Sequence, residues 1–140
     1  MGAQFTEGNI FEDYRGSVAF VNDFTFEGIE RFYVITNSDE NPVRAWQGHK
    51  LDCKNFYCVA GSFKIGFVAI DNWEKPSLEL KVETVVLTAS KSRVLHIPAG
   101  YANAIVALEK NSKLIAFSTI PLSKSREDDV RFAPTTWKID

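Results

Sequence analysis

Residues 44–63 read RAWQGHKLDCKNFYCVAGSF, and the way this stretch is read decides the fold. Its first part gathers Arg44, Trp46, Gln47, His49 (one of only two histidines), Lys50 and Lys54. A run rich in aromatic and β-branched residues follows and closes on Ala60-Gly61-Ser62, a hairpin-like turn. Alternate side chains along a strand face the same way. Ala45, Gln47 and His49 are therefore expected to point inward, with Lys54 entering from the next strand. A lysine desolvated beside an imidazole and an amide is costly unless a ligand or partner compensates it. That cost marks the stretch as the first place to look for a pocket.

Working outward, the flanking sequence is cut into similar pieces. Upstream, Glu30–Thr36 (ERFYVIT) is dense in aromatic and β-branched residues and predicts a strand, and residues 37–42 (NSDENP) predict a turn. Residues 17–23 alternate on Val18 and Phe20 as a strand does. The residues before Asp13 read as a short extended arm (1–12) with a turn at Gly8-Asn9. Downstream, strands are expected over Phe63–Asp71, Leu80–Leu87, Arg93–Ile97, Ala102–Leu108 and Lys113–Ile120. Gly66 is expected to mark a bulge or a close approach. The polar segment 123–132 has room for one short helix, and Trp137 is expected to pack back on the body. About ten short strands with little helical periodicity predict an all-β sandwich or barrel.

A chain of 140 residues is long enough to bury a core in one domain without disulfides or metal staples. Its net charge of −2 and lack of a basic block argue against a general attraction to nucleic acid or to anionic membranes. No apolar run approaches a membrane span and no basic-then-apolar leader opens the chain, so the cytoplasm is the expected compartment. Cys53 and Cys58 are spaced to opposite faces of a strand, a poor arrangement for a mutual disulfide. His96, between Leu95 and Ile97, reads as a hydrogen-bonded structural histidine.

Two spacings narrow the fold. One is the central block, with Arg44, Gln47 and His49-Lys50, then Lys54 seven residues before Gly61; the other is Ile97-Pro98-Ala99-Gly100-Tyr101-Ala102-Asn103 ahead of an apolar run. Together they resemble the two motifs of a cupin jelly-roll barrel. With Asp13-x-Arg15-Gly16 they are similar to the RmlC-like sugar-nucleotide subgroup. That subgroup includes dTDP-4-dehydrorhamnose 3,5-epimerase and the WxcM-like or FdtA-like dTDP-4-keto-6-deoxyhexose 3,4-ketoisomerases. The resemblance runs from about Asn9 to Trp137, and Arg31-Phe32-Tyr33 and the His49-Lys50 pair bring the ketoisomerases closest. It implies a nucleotide-sugar substrate, most often dTDP-linked, and a place in surface polysaccharide synthesis. It also implies a homodimer in which the N-terminal arm adds to the partner's sheet.

The departures carry chemistry too. Metal-binding cupins place three histidines and a glutamate where this chain has Gln47, His49, Lys54 and Asn103. One imidazole and an ammonium do not make a divalent site, so no metal and no other cofactor are expected. Gln47 also falls where the epimerases and ketoisomerases usually carry a histidine base, and an amide takes up no proton near neutral pH. Ala116 falls about where the epimerases carry a tyrosine acid.

Isomerising a 4-keto sugar requires a base beside the carbonyl and a donor for the enolate oxygen. By the resemblance His49 is the candidate base and Lys54 the candidate oxyanion donor, with Tyr33, Tyr57 or Tyr101 returning the proton. Arg15 and Arg44 stand where arginines receive the diphosphate, although Arg15 also has the option of capping a turn through Asp13. Gln47 and Asn103 complete the expected substrate contacts with Trp46, for which a pocket wall and plain packing are both open readings. A degenerate, non-catalytic cupin that binds a sugar nucleotide or a related carbohydrate is the competing expectation.

Overall fold

The computed structural model describes residues 2–40 and 42–139. Two antiparallel sheets face one another. The first holds, in spatial order, β1 (Gln4–Glu7), β9 (Arg93–Ile97), β6 (Lys54–Ala60), β11 (Lys113–Ser118) and β4 (Arg31–Ile35). The second holds β12 (Val130–Arg131), β5 (Val43–His49), β10 (Tyr101–Ala107), β7 (Ser62–Ala69) and β8 (Glu83–Thr88). A hairpin of β2 (Asn9–Asp13) and β3 (Gly16–Phe20) pairs with neither. A short helix, α1 (Leu122–Ser125), runs into a 3₁₀ turn over Arg126–Asp128.

The alternation read from the sequence builds the interior. Phe56, Cys58, Leu95, Ile97, Leu114 and Ala116 from the first sheet meet Phe63, Ile65, Phe67, Leu87 and Ile105 from the second in one buried cluster. Burial pushes the Cys58 thiol up to about 11, so it packs as a small hydrophobe. The β6–β7 connection turns on Gly61 at φ +71°, and a Cβ there would collide with Ser112. Only glycine satisfies both conditions.

A second cluster lies on the outer face of the second sheet. Trp46, Val68, Ala102 and Ala104 are buried there under Trp137 from the C-terminal segment. The Trp46 and Trp137 rings meet edge to face at 5.4 Å, and Trp46 Nε1 donates to the Trp137 carbonyl at 3.1 Å. Gly66 is the expected close approach: a Cβ on it would press on Ile139 and on the Trp46 ring. Trp137 packs back as anticipated.

The structure departs from the sequence reading in four places. Residues 4–7 of the supposed arm are bound into the chain's own first sheet. There β1 pairs with β9, and the Arg93 guanidinium lies over the Phe5 ring, 3.7 Å from its centroid. What stands away from the body is the β2–β3 hairpin, which exposes Phe11 (56%), Val18 (61%) and Tyr14 (97%). β8 begins at Glu83 because Leu80 and Val82 pack on the second cluster instead of extending the strand. β12 had no local signal, being two residues that pair with Gly48 and Gln47.

The fourth departure is a register shift between β5 and β10. Asn103 opposes Gln47 but Ile105 opposes Arg44, leaving an extra residue in β5. Such a bulge breaks strict alternation. It turns Ala45, expected inward, toward the outer cluster, where alternation already places Trp46. Among the described residues no helix is long and apolar enough to cross a membrane.

Because Trp137 seals this second cluster, Trp137→Ala should cost about 3–5 kcal/mol. Urea unfolding should show that as a lower midpoint at an unchanged slope; an unchanged midpoint would mean that the C-terminal segment is a dispensable cover.

Candidate active site

At one end of the sandwich the inward-facing side chains change from apolar to polar. The C-terminal half of β5 brings Gln47 and His49, the first residue of β6 brings Lys54, and the start of β4 brings Arg31 and Tyr33. Asp52 from the β5–β6 turn joins them, and Ser125 and Asp129 close the side. Together they line a cavity of about 90 Å³. An adjoining hollow of about 310 Å³ shares Gln47 with it and is bordered by Arg44 and Arg131.

His49 is buried, and its Nδ1 lies 2.8 Å from the Asp128 backbone carbonyl. A carbonyl only accepts, so Nδ1 carries the proton and Nε2 is left with a free lone pair. Burial, reinforced by the positive charge of Lys54, holds the imidazole below its ordinary range; the Asp128 carbonyl and the Asp52 and Asp128 charges oppose this and do not overcome it. His49 is thus a neutral acceptor near pH 7.

The Asp128 carboxylate is occupied elsewhere. It accepts the backbone N–H groups of Lys50 (2.7 Å), Leu51 (3.1 Å) and Asp52 (2.8 Å). One residue therefore ties down the β5–β6 turn with its side chain and orients His49 with its carbonyl.

Lys54 is buried and fully engaged. Its Nζ lies 2.8 Å from Asp52 Oδ2 and donates to Tyr33 Oη at 3.0 Å. Asp52 also accepts from Ser118 Oγ (2.8 Å), Thr119 N (2.8 Å) and Thr119 Oγ1 (3.1 Å). Burial alone would raise the Asp52 carboxyl, but the hydrogen bond and charge of Lys54, with those of Ser118 and Thr119, outweigh it and hold it low. Since Tyr33 Oη already accepts from Lys54, its own O–H is free to be donated.

Solved structures with this architecture are numerous. A mutant of the 3,4-ketoisomerase QdtA from Thermoanaerobacterium thermosaccharolyticum, in complex with TDP-4-keto-6-deoxyglucose, aligns with a TM-score of 0.73 at 19% identity, over 96% of this chain and 91% of that one. The rmlC epimerase of Mycobacterium tuberculosis aligns at 0.76 and 19%, over 96% and 70%. A dTDP sugar isomerase from Desulfovibrio desulfuricans aligns at 0.76 and 20%, over 99% and 90%. No family model matches the chain, and no curated protein matches it in sequence.

The fold is the RmlC-like cupin fold.

Within that cupin fold, the structure brings Gln47, His49, Lys54 and Tyr33 together around the cavity and puts Arg44 beside it. Other expected site residues lie elsewhere. Tyr101 and Asn103 oppose His49 and Gln47 on β10 but do not border the cavity, and the Tyr101 ring packs on Phe67. Tyr57 bonds Ser92 at 2.9 Å, away from the site. Trp46, which alternation from Gln47 and His49 puts on the opposite face of β5, is a buried member of the outer cluster and borders the adjoining hollow, not the cavity itself. Arg15 takes the Asp13 option, bonding that carboxylate at 2.7 Å in the hairpin turn. His96 is satisfied by Asn55 at 2.8 Å. Among the described residues no three histidine, cysteine or carboxylate side chains cluster as a metal site.

Sequence reasoning missed Arg31, Asp52, Asp128, Ser125 and Asp129. Alternation along ERFYVIT would have placed Arg31 on the face of Tyr33. The two aspartates at 128 and 129 sit in a polar segment without a pattern, and only the tertiary fold returns them to His49.

The His49 environment has a direct signature. Its imidazole should titrate below the ordinary 6.5 in ring-proton NMR, and Lys54→Met should move the midpoint up by removing the positive charge while Asp52 stays. The unfolded chain takes up this proton at higher pH than the folded one. Stability should therefore fall as pH drops below about 6.5 and again, for Asp52, below its ordinary 3.8. A His49 midpoint at or above 6.5 would contradict the assignment.

Proposed function

We propose that this protein is an isomerase or epimerase of a nucleotide-linked 4-keto-6-deoxy sugar that works by proton transfer without a metal. The observation that carries the reading is the His49 imidazole, buried, neutral and bonded through Nδ1 to Asp128. Its free Nε2 can take a proton from the carbon beside the keto group. The shared fold with the 3,4-ketoisomerase crystallised with TDP-4-keto-6-deoxyglucose supports the substrate class, although fold alone does not fix function.

Tyr33 is the proposed acid. It lies directly across from Ala116 in the β4–β11 register, and directly opposed residues share a face. The phenol that epimerases carry near Ala116 would thus be supplied from one strand over, into the space that the small Ala116 side chain leaves. Lys54, held by Asp52, fixes the Tyr33 oxygen and aims its proton away from the ammonium. Arg44, with Arg131 across the adjoining hollow, suits a diphosphate, whose paired oxygens match a guanidinium fork.

A homodimer belongs to the same proposal. The β2–β3 hairpin exposes Phe11 and Val18, which a second copy would cover, and it carries Arg15 away from this chain's own cavity. A second reading, a binding module without turnover, is favoured by Gln47 alone, an amide at the cavity where a second titrating group would help.

His49→Asn should abolish conversion of dTDP-4-keto-6-deoxyglucose while leaving dTDP affinity within about tenfold. Tyr33→Phe should slow conversion by about 10²-fold, the usual worth of a positioned acid. Calorimetry and product NMR read both, and unchanged turnover in His49→Asn would remove His49 from the mechanism. Light scattering should give the mass of a dimer at micromolar concentration; a monomer would refute the proposed assembly.

A further inference from the structure

We propose that Arg31, not Lys54, holds the substrate oxygen on which negative charge collects during turnover. The inference rests on the proton-transfer reading above and adds to it a residue with no assigned role. It comes from matching each charge at the cavity with its partner.

Lys54 has its carboxylate, Asp52, at 2.8 Å, and a second hydrogen bond to Tyr33. Asp129 is matched by Arg131 at 3.1 Å, outside the cavity lining. His49 is neutral. Arg31 is what remains: among the described residues it has no ion pair, and its Nε is buried without a hydrogen-bond partner. The guanidinium carbon lies 5.1 Å from the Tyr33 ring centroid, so the side chain is stacked beside the proposed acid.

The Arg31 side chain is half-buried and stacked on Tyr33, but its Nε–H is desolvated with no hydrogen-bond partner, which is costly. An enolate oxygen supplies the missing partner only while the proton is away from carbon, which is when stabilisation lowers the barrier. Lys54 is poorly suited to the same task. Its charge is already answered by Asp52, and swinging to the substrate would break bonds to two side chains. Arg31 therefore stabilises the charge, Lys54 positions Tyr33, and His49 moves the proton.

The test compares wild type with Arg31→Met, Arg31→Lys and Arg31→Ala on dTDP-4-keto-6-deoxyglucose, with dTDP affinity measured in parallel. Arg31→Met should lose about 10²-fold or more in kcat, as loss of an oxyanion donor does, while the dTDP Kd changes by less than about threefold. Arg31→Lys, a charge without the planar fork, should fall between the two. Added methylguanidinium should restore Arg31→Ala by about tenfold or more, which a purely structural role would not allow. A kcat for Arg31→Met within about threefold of wild type would overturn the assignment. So would a loss of dTDP affinity that matches the loss of rate, or a failure of rescue. A wild-type protein that is inert on the keto sugar would overturn the proton-transfer reading together with it, whereas an active wild type with an equally active Arg31→Met overturns Arg31 alone.

Discussion

Asp128 holds the polar end of the sandwich together. Its carboxylate gathers three consecutive backbone N–H groups from the β5–β6 turn, and its carbonyl accepts a hydrogen bond from the His49 Nδ1–H. Without it the buried Asp52 N–H would be left unpaired, at a cost of about 1–3 kcal/mol, and the exposed Lys50 and Leu51 donors would turn to water. The same turn carries Asp52, which fixes Lys54, which in turn fixes Tyr33. A residue far along the chain thus sets the tautomer of the histidine and, through the turn, the posture of the whole cavity. The short C-terminal helix and its 3₁₀ turn are the means by which the chain brings Asp128 back.

The two hydrophobic clusters give this polar end something rigid to stand on. Between the sheets the side chains are aliphatic and aromatic. Outside the second sheet the Trp46–Trp137 pair pins the C-terminal segment. That anchorage lies a few residues beyond Asp128 and Asp129, so the packing on the outer face helps to hold the cavity wall on the inner one. Strand β5 serves both faces: Trp46 points outward to make the anchor, Gln47 and His49 point inward to make the site, and the bulge puts Ala45 on the outer side beside Trp46.

Much of the fold was legible because period-2 alternation and turn chemistry are local. ERFYVIT, FKIGFVAI and RVLHI all became strands, and Gly61 and Gly66 had the roles their positions implied. The cavity was half legible. Gln47, His49 and Lys54 lie on two consecutive strands, and their spacing forces them together. Ala45, expected inward with Gln47 and His49, packs on the outer cluster instead, because a bulge cannot be read from alternation that it interrupts. Asp128 was invisible because its partners are some eighty residues away along the chain, as in the His49–Asp128 bond. No local pattern encodes a tertiary return of that kind. Arg31 had a local signal, the shared face with Tyr33, but its lack of a charge partner is a property of the folded site alone.

In the proposed chemistry a buried, neutral imidazole removes a proton from carbon beside a keto group. That step is tested most directly by proton NMR of the protein with dTDP-4-keto-6-deoxyglucose in deuterated water. Deuterium is expected at C3, or at C3 and C5, with the labelled carbon separating ketoisomerase or 3-epimerase chemistry from double epimerisation. Ligand that binds, seen by line broadening, yet keeps every carbon-bound proton would contradict it and leave a cavity that holds a sugar nucleotide without turning it over.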